Sequence, residues 1–181
     1  MNCQEQVARV LISEQAIRHR VAQMGAQIAR DYQDKQPALV AVLRGAAVFC
    51  ADLIRQMDLN LTLDFIAVSS YGAATEASGQ VRLIKDVERS VEGTDLILVE
   101  DIVDSGLTLK YLLGNLESRS PASLRVCTLL SKPSRRKMEV PLDYVGFEIP
   151  DEFVIGYGMD FNEKYRNLPF IGVLRDTVSG Q

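Results

Sequence analysis

A single histidine, three cysteines and no long apolar run set the outer limits of what this 181-residue chain does. His19 is the only imidazole, so a Ser-His or Cys-His catalytic pair would have to use it. It falls mid-helix, far in sequence from the acidic cluster described below, and reads as a surface residue. Cys3, Cys50 and Cys127 are odd in number and widely spaced, with no Cys-x-x-Cys arrangement. That pattern argues against metal or disulfide roles and suits a reducing cytoplasm. Cys50 and Cys127 lie among apolar neighbours and read as small core residues. No stretch approaches the ~18 apolar residues of a membrane span, and the amino terminus carries acids and lacks the apolar core of a signal peptide. Positive charge is not in surplus. The net charge is -4 and the isoelectric point about 5.1, which argues against a general nucleic-acid binder. Neither GxxxxGK[ST] nor GxGxxG occurs, so Walker-type and dinucleotide fingerprints are absent.

What is present is ordinary globular material, 47% hydrophobic and 24% charged, enough for one domain spanning 1–181. Repeats, low-complexity tracts and clear linkers are missing. Ser13 is placed to cap a helix reaching about Asp34, with Ile17, Val21, Met24 and Ile28 on one buried stripe. Ala38 to Leu43 is an all-apolar strand that runs into Arg44-Gly45. A second helix follows from Ala46 to Met57, packing Val48, Phe49, Leu53 and Ile54. Leu61 to Val68 is strand-like and ends in Ser69-Ser70-Tyr71-Gly72. Ala73 to Gln80 is small and polar, too poor in large apolar residues to pack by itself, and reads as a mobile lid. Val81 to Ile84 resumes as a strand. Leu124 to Leu130 is another buried strand, closing on Ser131-Lys132-Pro133. Arg135-Arg136-Lys137 reads as solvated surface, and short strands follow at Tyr144–Phe147, Phe153–Tyr157 and Ile171–Leu174.

The chemistry concentrates in Leu96–Leu109, LILVEDIVDSGLTL. Four apolar residues, typical of a strand buried on both faces, lead straight into Glu100 and Asp101, with Asp104 close behind. Ser105-Gly106-Leu107-Thr108 then opens a helix. In open α/β sheets ligands bind at such strand ends. Successive backbone N–H groups at a helix start make a concave anion site, Ser105 and Thr108 add hydroxyls, and Gly106 lets the backbone come close. Adjacent carboxylates bind Mg2+ or accept hydrogen bonds from vicinal sugar hydroxyls. Phosphate beside diol-binding acids describes a ribose 5-phosphate. A response-regulator receiver domain also carries an acidic strand end, but near its start. Here Glu100 has only 81 residues after it, without the later strands such a domain requires.

The run from Leu98 to Thr108 resembles the phosphoribosyl-pyrophosphate motif of the type I phosphoribosyltransferases. Leu43-Arg44-Gly45, Ser70-Tyr71-Gly72, Lys132-Pro133, Gly146 to Tyr157 and Asp160 to Arg166 resemble the hypoxanthine (hypoxanthine-guanine) members, so the likeness covers essentially the whole chain. The resemblance implies an α/β fold: a twisted parallel sheet of about five strands flanked by helices, with a small hood from about 1–12 and 143–181. It implies that Glu100 and Asp101 hold the ribose hydroxyls with Mg2+ nearby, and that Asp104 is the general base for purine N7. Ser105, Gly106, Leu107 and Thr108, with Leu109 at the edge, would cradle the 5-phosphate. Arg44, Gly45 and Arg166 would contact pyrophosphate. Lys132 would donate to the purine O6, Phe153 would stack on the base, and the Val154 backbone would bond its edge. Asp160, beside the purine, would help hold a second Mg2+. Ser70 and Tyr71 would sit on the lid, and the Leu43–Arg44 bond can be a non-proline cis peptide. Three positions depart from the family pattern. Leu107 and Arg44 stand where other members carry Lys, and Met159 stands where others have Leu or Ile.

The expected activity is purine salvage: a 6-oxopurine plus phosphoribosyl pyrophosphate gives a nucleotide and pyrophosphate. Hypoxanthine is the expected base, with guanine as a second. A xanthine-preferring transferase and a phosphoribosyl-pyrophosphate-sensing regulator on the same fold stand as alternatives. The regulator would want a basic face or a helix-turn-helix extension, and the sequence has neither. The expected partners are small molecules, with no nucleic acid or membrane, and the resemblance implies a cytoplasmic homodimer or homotetramer.

Overall fold

The computed structural model describes residues 6–70 and 81–175. Tyr71, expected on the lid, the stretch Ala73 to Gln80 and Cys3 lie outside these. Helix α1 (Glu14–Asp31) starts where Ser13 Oγ accepts the Ala16 N–H at 3.2 Å, and it stops three residues before the expected Asp34. Its buried side chains include Ile17, Val21, Met24 and Ile28, while His19 stays exposed. Strand β2 (Ala38–Leu43) leads into α2 (Ala46–Ile54), which ends short of the expected Met57. Val48 faces solvent at 38% exposure instead of packing with Phe49 and Leu53.

Strands β3 (Thr62–Ser70), β4 (Val81–Lys85), β5 (Asp95–Val103), β6 (Ser123–Ser131) and β7 (Tyr144–Glu148) complete the central sheet around β2. Its order is β4-β3-β2-β5-β6-β7. Five strands are parallel, and β4 is added antiparallel at the β3 edge. Helix α3 (Leu107–Glu117) joins β5 to β6. The centre of the sheet explains the apolar runs. Leu96, Ile97, Leu98 and Val99 are all fully buried, each contributing about 1.5–3 kcal/mol of burial. Ile97 and Val99 pack with α1 and α2, Leu96 and Leu98 with α3, as the two-residue period of a strand requires. Cys50 and Cys127 lie in the first of these cores.

A second sheet of β1 (Val7–Ile12), β9 (Ile171–Leu174) and β8 (Val154–Ile155) forms the hood, antiparallel throughout. The sequence reading put everything from Asp143 into this hood. Instead β7 pairs in parallel with β6, Phe147 opposite Leu130. Arg20 ties β7 to α1, donating to the Val145 and Gly146 carbonyls at 2.6 and 3.0 Å. The chain crosses to the hood only after Ile149. An Arg9–Glu152 ion pair joins β1 to that crossing. Among the described residues no helix is long and apolar enough to cross a membrane.

Candidate active site

The carboxyl ends of β2, β5 and β6 and the loops that follow them bring the acidic motif against the crossing to the hood. At the end of β5 the chain passes through Asp104 and Ser105 to Gly106, whose φ of +84° is left-handed backbone open chiefly to glycine. Gly106 offers α3 no side-chain cap, so beyond the Leu107 N–H the first N–H groups of the helix face a prospective anion with the positive end of the helix dipole behind them. Ser105 Oγ approaches the Leu107 N–H at 3.4 Å. Leu109 is buried within α3, so its side chain belongs to the core and only its backbone can serve a phosphate. The loop is held from behind: the Ser105 carbonyl accepts the Lys137 and Met138 N–H groups at 2.9 and 3.1 Å.

Glu100 and Asp101 differ in surroundings. Glu100 is buried at 6% exposure, and burial, reinforced by the neighbouring Asp101 charge, pushes its carboxyl well above the usual range. Burial also pushes Asp101 up to about 6, against the Ile102 N–H and the Arg166 charge that pull it down. Asp101 Oδ1 accepts the Ile102 N–H at 2.8 Å. Its Oδ2 lies so close to Gly45 that a Cβ there would sit 1.7 Å away. A side chain at this position would have to displace that carboxylate, directly after the Leu43–Arg44 bond, which is cis.

Around Asp101 the phosphate-binding candidates form a charge cluster. Arg166 Nη2 pairs with Asp160 Oδ1 at 2.8 Å and lies 3.6 Å from Glu163, while Nη1 donates to the Gly158 carbonyl at 2.8 Å. Arg44 reaches the same Glu163 carboxylate. The two arginines assigned to pyrophosphate are therefore linked by one acid that the sequence did not single out.

The base-facing candidates gather on the other side of the motif. Lys132 follows β6, its backbone N–H donating to the Val103 carbonyl at 3.0 Å, which sets it one strand over from Asp104. Its ammonium is buried and 4.0 Å from Asp151. Arg135, in a short 3-10 turn (Pro133–Arg135), contacts Asp104 through Nε at 3.2 Å and Asp151 through Nη1 at 3.5 Å. Phe153 is half exposed, its ring nearly perpendicular to that of Phe161 with centroids 5.6 Å apart. Val154 is buried where β8 pairs with β9, and Met159 is buried beyond it. Ser70 ends β3 opposite Val81.

The basic run expected to be plain surface is not idle. Arg135 pairs with Asp104 as described, and Arg136 bonds Ser131 Oγ at 2.8 Å while packing against Gly106. The only sequence signal for either was position, three and four residues after Lys132. Their contacts depend on the β6–β7 loop folding back, which no local pattern announces.

The comparisons with known proteins agree with this geometry. The phosphoribosyl transferase domain family matches residues 10–162. The chain is 51% identical over 172 residues to the hypoxanthine-guanine phosphoribosyltransferase of Bacillus subtilis, covering 95% of this chain and 96% of that protein. It is 47% identical to the enzyme of the same name from Mycobacterium avium, covering 97% and 89%. The crystal structure of a hypoxanthine phosphoribosyltransferase from Staphylococcus aureus superposes with a TM-score of 0.93 at 46% identity, covering 97% of this chain and 95% of that one. This chain belongs to the phosphoribosyl transferase domain family.

Proposed function

We infer that this chain is a hypoxanthine-guanine phosphoribosyltransferase: it moves the 5-phosphoribosyl group of phosphoribosyl pyrophosphate onto N9 of hypoxanthine or guanine and releases pyrophosphate, a purine-salvage reaction. One observation carries the reading. A helix start with no cap from Gly106, a buried Glu100 beside a half-buried Asp101, and an Asp104–Lys132 acceptor and donor lie side by side, matching the phosphate, ribose and 6-oxopurine of the product.

The α3 N–H groups with Ser105 and Thr108 hold the 5-phosphate, and Glu100 and Asp101 take the ribose hydroxyls. Lys132 donates to the 6-oxo group, which favours hypoxanthine and guanine over adenine, whose amino group there is itself a donor. Phe153 stacks on the base, and the Val154 backbone meets its edge. As pyrophosphate leaves, the ribose carbon takes on oxocarbenium character, as in glycoside hydrolysis. Arg44 and Arg166 offset the charge growing on pyrophosphate, and Asp104 accepts the purine proton. Water would capture such a carbon, so closure of the segment bearing Ser70 and Tyr71 serves to exclude solvent.

Mg2+ fits this donor set. Among the described residues no three His, Cys, Asp or Glu side chains form a closed metal cage. Mg2+ suits such a site, because it keeps several waters and uses one or two carboxylates together with substrate phosphates. Glu100, Asp101 and Asp160 are the residues to hold it. When bound it neutralises charge on the departing pyrophosphate. The working form is a cytoplasmic homodimer or homotetramer.

The test is direct. The protein with phosphoribosyl pyrophosphate, hypoxanthine and Mg2+ should yield inosine monophosphate and pyrophosphate in equal amounts, and a chelator should stop both. Pyrophosphate release without nucleotide would contradict the assignment.

A further inference from the structure

Two side chains assigned to the base, Asp104 and Lys132, are joined by two others that no part of the proposed reaction uses. The chain of contacts runs from Asp104 Oδ1 to Arg135 Nε (3.2 Å), from Arg135 Nη1 to Asp151 Oδ2 (3.5 Å), and from Asp151 Oδ1 to Lys132 Nζ (4.0 Å). It crosses three separate segments: the β5–α3 loop, the β6–β7 loop, and the stretch leading from β7 into the hood. In a 6-oxopurine, O6 and N7 lie on the same edge. A donor for O6 and an acceptor for N7 must therefore stand at a fixed separation. These two come from different loops, and nothing in either loop alone sets that spacing.

We propose that Arg135 and Asp151 are positioning residues that set the spacing of Lys132 and Asp104 for the O6–N7 edge of a 6-oxopurine. The guanidinium is suited to this. It is planar, and its N–H groups leave in fixed directions, so engaging Asp104 and Asp151 from two different nitrogens constrains both carboxylates at once. Its bond to Asp104 uses Oδ1, and among the described residues no other group bonds that carboxylate. Oδ2 is left to accept the purine proton. The Asp104 carboxylate in turn holds the Arg135 charge more firmly, raising it above its ordinary value. Asp151 plays the matching part for Lys132: it keeps an acid 4.0 Å from a buried ammonium.

This rests on the assignment of Asp104 and Lys132 to the base, so wild-type enzyme is measured first. Arg135, Asp151 and their carboxylate and guanidinium groups are about half exposed, and substitutions there should leave thermal unfolding within about 2 °C of wild type. Arg135→Gln and Asp151→Asn should each raise the KM for hypoxanthine by about 5–20-fold while the KM for phosphoribosyl pyrophosphate moves less than about 2-fold. The double variant should be no worse than the poorer single by more than about 2-fold, since either change already breaks the fork. Arg135→Lys should not restore the KM, because one ammonium does not span both carboxylates in fixed directions. Equal shifts for both substrates, independent additive effects, or a lower hypoxanthine KM would overturn the proposal while leaving the transferase reading intact. A wild-type enzyme that makes no nucleotide would instead defeat the transferase reading itself.

Discussion

In the proposed reaction Asp104 and Lys132 carry the most specific chemistry, and each makes a separable prediction. Asp104→Asn keeps the size and hydrogen-bonding reach of the side chain but gives up its basicity. Turnover should fall by about 10²–10⁴-fold, the usual range for a general base, with the KM for phosphoribosyl pyrophosphate nearly unchanged; steady-state kinetics with both substrates varied decides it. Unchanged turnover would remove Asp104 from proton transfer. Lys132→Ala should raise the KM for hypoxanthine far more than that for phosphoribosyl pyrophosphate, and equal effects would move the ammonium out of the base pocket. At this scale the sequence offered Asp104 as a candidate because an acid directly after a buried strand has few other uses. Arg135, Asp151 and Glu163 were not legible. Their roles come from pairing with residues 31, 16 or more, and 119 positions away in the chain, and a charge in a polar loop looks the same whether or not such a partner exists.

Elements were readable where local periodicity decides them. The stripe of α1 and the apolar runs of β2, β5 and β6 follow from spacing alone. Their ends were less so: α1 stops at Asp31 and α2 at Ile54, because helix ends depend on what the following turn packs against. The assignment of β7 to the hood failed for a related reason. Tyr144–Glu148 is half-buried, a pattern that fits either sheet, and only its pairing with β6 and the Arg20 bonds to Val145 and Gly146 place it. The start of α1 offers a clean test. Ser13 Oγ satisfies the Ala16 N–H, so Ser13→Ala should cost about 1 kcal/mol of stability. Chemical denaturation should show this as a lower midpoint with an unchanged slope, and activity measured well below the midpoint should be retained. No shift in the midpoint would mean that the cap contributes nothing.

For the molecule as a whole, acid stability follows from carboxylates paired in the fold. Hydrogen bonds from Arg119 hold Asp86 below its ordinary 3.8, and those from Lys35 and then Ser123 do the same for Asp95. A carboxyl depressed in the folded state adds stability that is present above the unfolded value and lost as pH falls through the folded one. Denaturant midpoints should therefore drop once the pH passes below about 4, whereas the raised Glu100 and Asp101 carboxyls act the opposite way at higher pH, adding stability as pH falls from neutral toward about 5. Asp86→Asn should flatten part of that drop. Asp86 is well exposed, so its pair with Arg119 should contribute no more than about 1 kcal/mol. A stability profile unaltered by the substitution would show that the pair is not felt.

The same whole-molecule view gives the parts of the site one purpose. In the proposed reaction the phosphate loop and the carboxylate pair serve any phosphoribosyl transfer, whereas Asp104 on the β5–α3 loop, Lys132 on the β6–β7 loop and Phe153 just before β8 choose the base. The measurement that tests this most directly is nucleotide formation by the purified protein with Mg2+, phosphoribosyl pyrophosphate and, in separate reactions, hypoxanthine, guanine, xanthine and adenine. Hypoxanthine and guanine should give the highest kcat/KM and adenine none that can be detected. Nucleotide from adenine at a comparable rate, or from no base at all, would contradict the account.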